Sequence, residues 1–192
     1  MAEHISVNAL LSAGQAVEFG TSGFFRVRSQ GEDHPFVLTQ YMSGGLFSAV
    51  TRQDGTQPKP YGTAGCGLGD EDWVHVMAPA QFLQRYVFFT DPTFATTNLV
   101  LTRRRDGAGF HDVAIGCLGV VSGWETVGND GDYQVAHVDL IRGNVPQGQC
   151  GSSRHEAWSD GAFGLTVWGT DWCASYAYPA GGGFRRINSF TP

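Results

Sequence analysis

Lysine is almost missing from this chain: Lys59 stands alone against eleven arginines among 192 residues. That skew reads as the codon bias of a GC-rich genome rather than as a functional feature. Charge of any kind is sparse, at 16%, and the balance is −6, which argues against a nucleic-acid partner because phosphate binding wants a basic patch. The one basic cluster, Arg103-Arg104-Arg105, runs into Asp106-Gly107 and reads as a solvated loop. No apolar run approaches the ~18 residues of a membrane helix, so no membrane span is expected. Met1-Ala2-Glu3-His4 lacks the charged-then-apolar pattern of a secretory leader. The expectation is therefore a cytoplasmic chain or a piece of a longer secreted one.

Catalytic signatures are missing as well. There is no G-x-S-x-G elbow, no Walker A run and no H-E-x-x-H. The glycines of Tyr61 to Asp70 open no helix and so make no phosphate cradle. The six histidines are scattered singly, as surface or strand residues are. No C-x-x-C pair occurs among Cys66, Cys117, Cys150 and Cys173, which excludes a zinc ribbon or a thioredoxin-like site.

Gln147 to Ser153, "QGQCGSS", is close to the nucleophile run of papain-like cysteine proteases. Such a nucleophile needs the N-terminus of a long helix to hold its thiolate. Here a turn and a strand pattern follow, and only 42 residues remain for a His and an Asn that lie ~130–150 residues downstream in that family. The protease reading fails.

What the chain does have is glycine, 27 residues of it, spread between short runs of period two. Val17 and Phe19, Phe25 and Val27, Phe36 to Tyr41, Trp73 to Met77, Tyr86 to Phe89 and Leu99 to Thr102 all read as strands. Val113 to Ile115, Tyr133 to Ile141, Arg154 to Trp158, Phe163 to Trp168 and Ser175 to Tyr178 follow. Ala80 to Tyr86 is the only helix candidate, at most two turns long. The expected fold is all-β: one antiparallel β-sandwich over residues 1–192, jelly-roll-like in one variant, with about ten short strands and long loops. The longest such loop spans Gly44 to Gly69.

Asp160-Gly161 predicts a type I′ hairpin turn, with Ser159 facing Ala162 and Cys150 facing residue 171. That register suggests a Cys150–Cys173 disulfide and, by elimination, Cys66–Cys117, although four cysteines allow three connectivities. Two disulfides imply an oxidising compartment.

Candidate ligand contacts are Trp73, Trp124, Trp158 and Trp172, aromatic groups beside polar loops that suit a sugar or a protein. The acidic loops offer Asp70, Asp72, Asp130 and Asp132 as Ca²⁺ ligands, the only cofactor considered. Glu71, Asp72, Asp130 and Asp132 are also the acids a glycoside hydrolase would use, given two of them ~5–9.5 Å apart across a cleft.

The C-terminal third carries a more specific pattern. Phe163 to Gly169, "FGLTVWG", then Ser175 to Gly181 and Ile187-Asn188, resemble the closing signature of the IgGFc-binding protein N-terminal domain family. Cys150 with His155, Trp124 to Asp139, Gln81-Phe82, Tyr86 to Phe88, Thr90 and Gly69-Asp70 extend the likeness, as do Leu11 to Gly14, Phe24 to Val27 and Pro35 to Tyr41 near the start. It covers roughly residues 5 to 188, and it departs at Glu71, where the family has Pro.

The resemblance implies a member from a bacterium, myxobacteria among them, or the C-terminal portion of such a domain. It implies a non-enzymatic extracellular or cell-surface adhesion module with a protein or glycan ligand, and it carries over no catalytic residue. The alternatives are a carbohydrate-binding or carbohydrate-active module, or a structural part of a surface assembly. Read physically, Phe163, Leu165 and Val167 share a core face, while Trp168, Tyr176 and Tyr178 either close the sandwich or stay partly exposed.

Overall fold

The computed structural model describes residues 12–31, 33–42 and 68–183. Alternation of apolar and polar side chains sets the strands. In β3 (Leu83–Phe89) Tyr86 and Phe88 point inward while Val87 and Phe89 point out. In β4 (Thr96–Arg104) Thr97, Leu99 and Leu101 are buried and the residues between them are not. The other strands are β1 (Thr39–Met42), β2 (Asp72–His75), β5 (Val113–Ile115), β6 (Gly119–Val120), β7 (Glu125–Val127), β8 (Tyr133–Arg142), β9 (Val145–Pro146), β10 (Arg154–Asp171) and β11 (Ala174–Pro179). β1 and β2 pair as a separate antiparallel ribbon; the remaining nine form one continuous antiparallel sheet.

That sheet is organised by the 18-residue β10. The first part of β10 lies between β3 and β5, with Arg154 opposite Phe89 and Ala157 opposite both Tyr86 and Ile115. Its last part lies between β4 and β11, with Val167 opposite both Leu99 and Tyr178. β6 extends the first half beyond β5, and β8 with β7 and β9 extends the second beyond β4. The two halves share one strand and curl over a common core, which gives a sandwich-like all-β fold. Phe88, Val113, Ile115 and Ala157 of the first half meet Leu99, Leu101, Ala136, Leu140, Phe163, Leu165 and Val167 of the second.

The expected hairpin at Asp160-Gly161 is absent. Neither residue has the positive φ a type I′ turn requires, and β10 runs straight through them. The register against β3 slips between Trp158 and Phe163 instead, so this dipeptide marks a bulge where the strand passes from one half to the other. Gly161 is needed for a different reason: a Cβ there would sit 2.5 Å from the His111 ring.

Three further readings change. Residues 12–31 contain no strand, since Val17, Phe19, Phe25 and Val27 alternate without a partner among the described residues to complete a ladder. That segment is tied to β8 by side chains, with Phe24 edge-on to His137 and Arg26 over the Tyr133 ring. Ala80 to Tyr86 is not helical beyond a 3₁₀ turn at Pro79–Gln81, because the period-two burial of Tyr86 and Phe88 takes over. Arg103 and Arg104 belong to β4 rather than to a loop. The Arg103 guanidinium lies 4.0 Å from the Trp124 ring centre and donates to Gln134 Oε1 and to the His111 carbonyl. The long loop expected from Gly44 onward lies outside the described residues, apart from its last two positions.

Both disulfide pairings derived from that hairpin fall with it. Cys117 is bonded to Cys150, with their Cα atoms 5.0 Å apart, joining the turn after β5 to the segment that enters β10. Cys173 is disulfide-bonded too. Cys66 lies outside the described residues.

Candidate functional site

The four candidate tryptophans sit on different elements, and among the described residues no ring contact joins any two of them. Trp124 is used internally, packed under Arg103 with its Nε1 donating to the Val121 carbonyl at 3.1 Å. Trp172 is half-buried at the turn between β10 and β11, and its buried Nε1 has no acceptor among the described residues. Trp158 lies on the outer face of β10, 40% exposed. Trp73, 57% exposed, stands opposite the 70% exposed Tyr41 on one face of the β1–β2 ribbon, with His75 and Thr39 beside them.

The acidic candidates are engaged locally. Asp70 accepts the Glu71 N–H, and Asp72 accepts the Trp73 N–H. Asp130 and Asp132 both face the Arg26 guanidinium, which already supplies a cation there. Among the described residues no group of three or more His, Cys, Asp or Glu side chains is placed to hold a metal ion.

What sequence reasoning passed over is the groove between β3 and β11. It is a shallow apolar depression of about 660 Å³ whose walls are Val87, Phe89 and Pro92 on one side and Tyr176, Tyr178 and Ala180 on the other. Phe89 is 60% exposed within it. The tyrosines stand on β11 as alternate residues with rings stacked 6.4 Å apart, and Phe94 meets Tyr176 edge-on at 4.9 Å. Tyr176 has room only because its cross-strand partner is Gly169: a Cβ there would lie 2.0 Å from the ring. A tyrosine opposite a mid-strand glycine was the signal in the sequence that could have pointed here.

The hydroxyls of the groove are committed to backbone. Tyr178 Oη accepts the Phe89 N–H at 3.1 Å and donates to the Phe89 carbonyl, while Tyr176 Oη accepts the Asp91 N–H at 3.1 Å. Burial raises the Tyr178 phenol above its ordinary value, so it keeps the proton it donates. The Thr93 hydroxyl and N–H hold the Asp91 carboxyl below the usual range, which leaves one fixed negative charge at the groove's rim.

Beneath the groove lies His155, 4% exposed. Its Nε2 is 2.9 Å from Thr90 Oγ1, its Nδ1 3.7 Å from Cys117 Sγ, and its ring stacks on Phe88. Burial pushes the imidazole below its ordinary value, against a smaller opposing effect of a backbone hydrogen bond at Ser152. The unfolded chain therefore binds a proton that the folded chain refuses. Stability is at its full value above about pH 6.5 and falls as the pH drops toward the lower folded value. Urea midpoints measured from pH 8 to pH 5 are expected to decline, and a His155→Gln variant to show a flatter profile; parallel profiles would refute this.

A family-level comparison matches residues 3–169 to the IgGFc binding protein family. The chain belongs to the IgGFc-binding protein family. The match includes β3, the Cys117–Cys150 disulfide, His155 and the Phe163 to Gly169 run. It stops before β11, so the Ser175 to Gly181 and Ile187-Asn188 stretches lie outside the matched span, which is shorter at this end than the resemblance suggested. No curated protein and no solved structure matches the chain. The family is one of binding domains, and the groove between β3 and β11 presents exposed apolar surface. Among the described residues no helix is long and apolar enough to cross a membrane.

Proposed function

We propose that this chain is a non-enzymatic extracellular adhesion and ligand-binding module, one β-sandwich domain of a longer secreted or cell-surface protein. Its ligand is a protein held over the β3–β11 groove. The observation that carries this reading is the groove itself, where Phe89, Val87, Tyr176 and Tyr178 present a contiguous apolar surface inside a binding-domain family member. The Cys117–Cys150 disulfide fits an oxidising compartment. A second reading, glycan binding, is favoured by the exposed Tyr41–Trp73 row beside Thr39 and His75.

The test is solid-phase binding of the full chain to a panel of secreted glycoproteins, IgG Fc included, each with and without its glycans. Phe89→Asp places a charge in the groove at a largely exposed strand position, so the fold should lose only about 1 kcal/mol. It is expected to abolish binding that survives deglycosylation, whereas Trp73→Ala leaves that binding intact. The reverse pattern, or binding that vanishes with the glycans, would transfer the function to the ribbon.

A further inference from the structure

We infer that the open edge of β3 takes up an extended peptide segment as an added strand, with an apolar residue in the groove and an acidic residue at the Arg85 end. This rests on the reading of the groove as the binding site and names the kind of ligand it accepts.

Along an antiparallel strand, alternate residues aim N–H and C=O at one neighbour and then at the other. Gly116 N–H donates to the Glu156 carbonyl at 2.9 Å, so Glu156 directs its backbone groups toward β5 and away from β3. Val87, directly opposite Glu156, must then direct its own groups away from β10. Phe89, two residues on, confirms the parity, because its outward N–H and C=O both meet the Tyr178 hydroxyl. Arg85, two residues before Val87, has the same parity and faces Trp158 across the pair.

Among the described residues β3 pairs with β10 alone, which leaves the N–H and C=O groups of Arg85 and Val87 open. Beyond them the edge is closed on both sides: Tyr178 and Tyr176 cap Phe89 and Asp91, and Tyr86 Oη accepts the Leu83 N–H at 3.0 Å. A pair of donors and acceptors about 6.7 Å apart, two strand residues, is the repeat of an extended backbone and not of a sugar.

The side chains specify the segment further. Val87 and Phe89 face the groove together with Tyr178, so a neighbouring side chain of an added strand would meet an apolar wall. Arg85 is exposed and has no ion-pair partner among the described residues, which favours a carboxylate at that end. Asp91 sets the opposite charge at the other end.

The experiment pans a random heptapeptide library, displayed on phage, against the immobilised full chain and measures synthetic copies of the enriched peptides by fluorescence polarisation. Methylating the peptide's backbone nitrogens one at a time should weaken binding about tenfold or more at every second position and hardly at the others. Val87→Pro deletes the outward N–H without touching the ladder to β10, and should weaken binding about tenfold, while Val87→Ile retains it. Should Val87→Pro fail to fold, the methylation scan on the unaltered chain still decides. No enrichment, position-independent methylation effects, or unchanged binding in a folded Val87→Pro chain would overturn the proposal. So would a dimer of the free chain, seen by sedimentation and lost in Val87→Pro, because the edge would then belong to a second copy. If strand addition fails in these assays but Phe89→Asp still abolishes binding of a glycoprotein, the groove remains the site and only the peptide mode is lost.

Discussion

Replacing both Cys117 and Cys150 by alanine is expected to lower the unfolding free energy by about 4 kcal/mol. The two residues are 33 positions apart, and cross-linking a loop of that length removes roughly this much entropy from the unfolded chain. The local setting supports a value near the full amount. Cys150 is completely buried, its N–H donates to the Gln147 carbonyl, and Gln149 N–H donates to the Cys117 carbonyl, so backbone bonds hold the two segments together around the bridge. Gly148, at φ 55°, permits the approach; a Cβ there would stand 2.8 Å from the Cys117 oxygen. Urea unfolding of the oxidised chain and of the double variant measures the difference. A loss below ~1 kcal/mol would show that the bridge adds little to a structure already closed by its strands.

Phe163→Ala is expected to cost about 3–5 kcal/mol. Phe163 is fully buried at the point where β10 passes from one half of the sheet to the other. It stands opposite Leu83 on one side and Arg103 on the other, its ring meets Tyr86 edge-on at 4.9 Å, and its carbonyl accepts the Tyr86 hydroxyl at 2.5 Å. Removing the ring leaves a cavity between strands that the neighbouring hydrogen bonds prevent from collapsing. Because β10 belongs to both halves, unfolding should stay a single transition with an unchanged denaturant slope. Trp158→Ala, five residues earlier on the outer face, should cost well under half as much. Equal losses at the two positions would contradict the placement of the core.

Local pattern was legible in the sequence. Phe163, Leu165 and Val167 were readable as one core face, and all three are buried. The strands from Tyr86 to Tyr178 appear close to where their period two put them. Pairing was a different matter. Asp160-Gly161 carries the local chemistry of a tight turn, yet β3, β4, β5 and β11 all claim parts of the same strand, and those ladder bonds outweigh a turn preference. The disulfide inference inherited that register and failed with it.

The site was hidden for a similar reason. Tryptophan is the residue that size and amphipathy single out, but Trp124 is spent under Arg103. The groove instead needs Phe89 from β3 and Tyr176 and Tyr178 from β11, elements almost ninety residues apart that meet only because both flank β10 on the same side. Family membership could be read from motifs such as Phe163 to Gly169, whereas the geometry of the edge could not.

The most direct test of the groove as the binding site is amide hydrogen exchange of the full chain with and without a bound glycoprotein from the panel. Protection is predicted at Arg85, Val87 and Asp91 and in Tyr176 to Ala180, with no change across Thr39 to Met42 and Asp72 to His75. Protection confined to those two ribbon strands, with β3 exchanging as in the free chain, would contradict it.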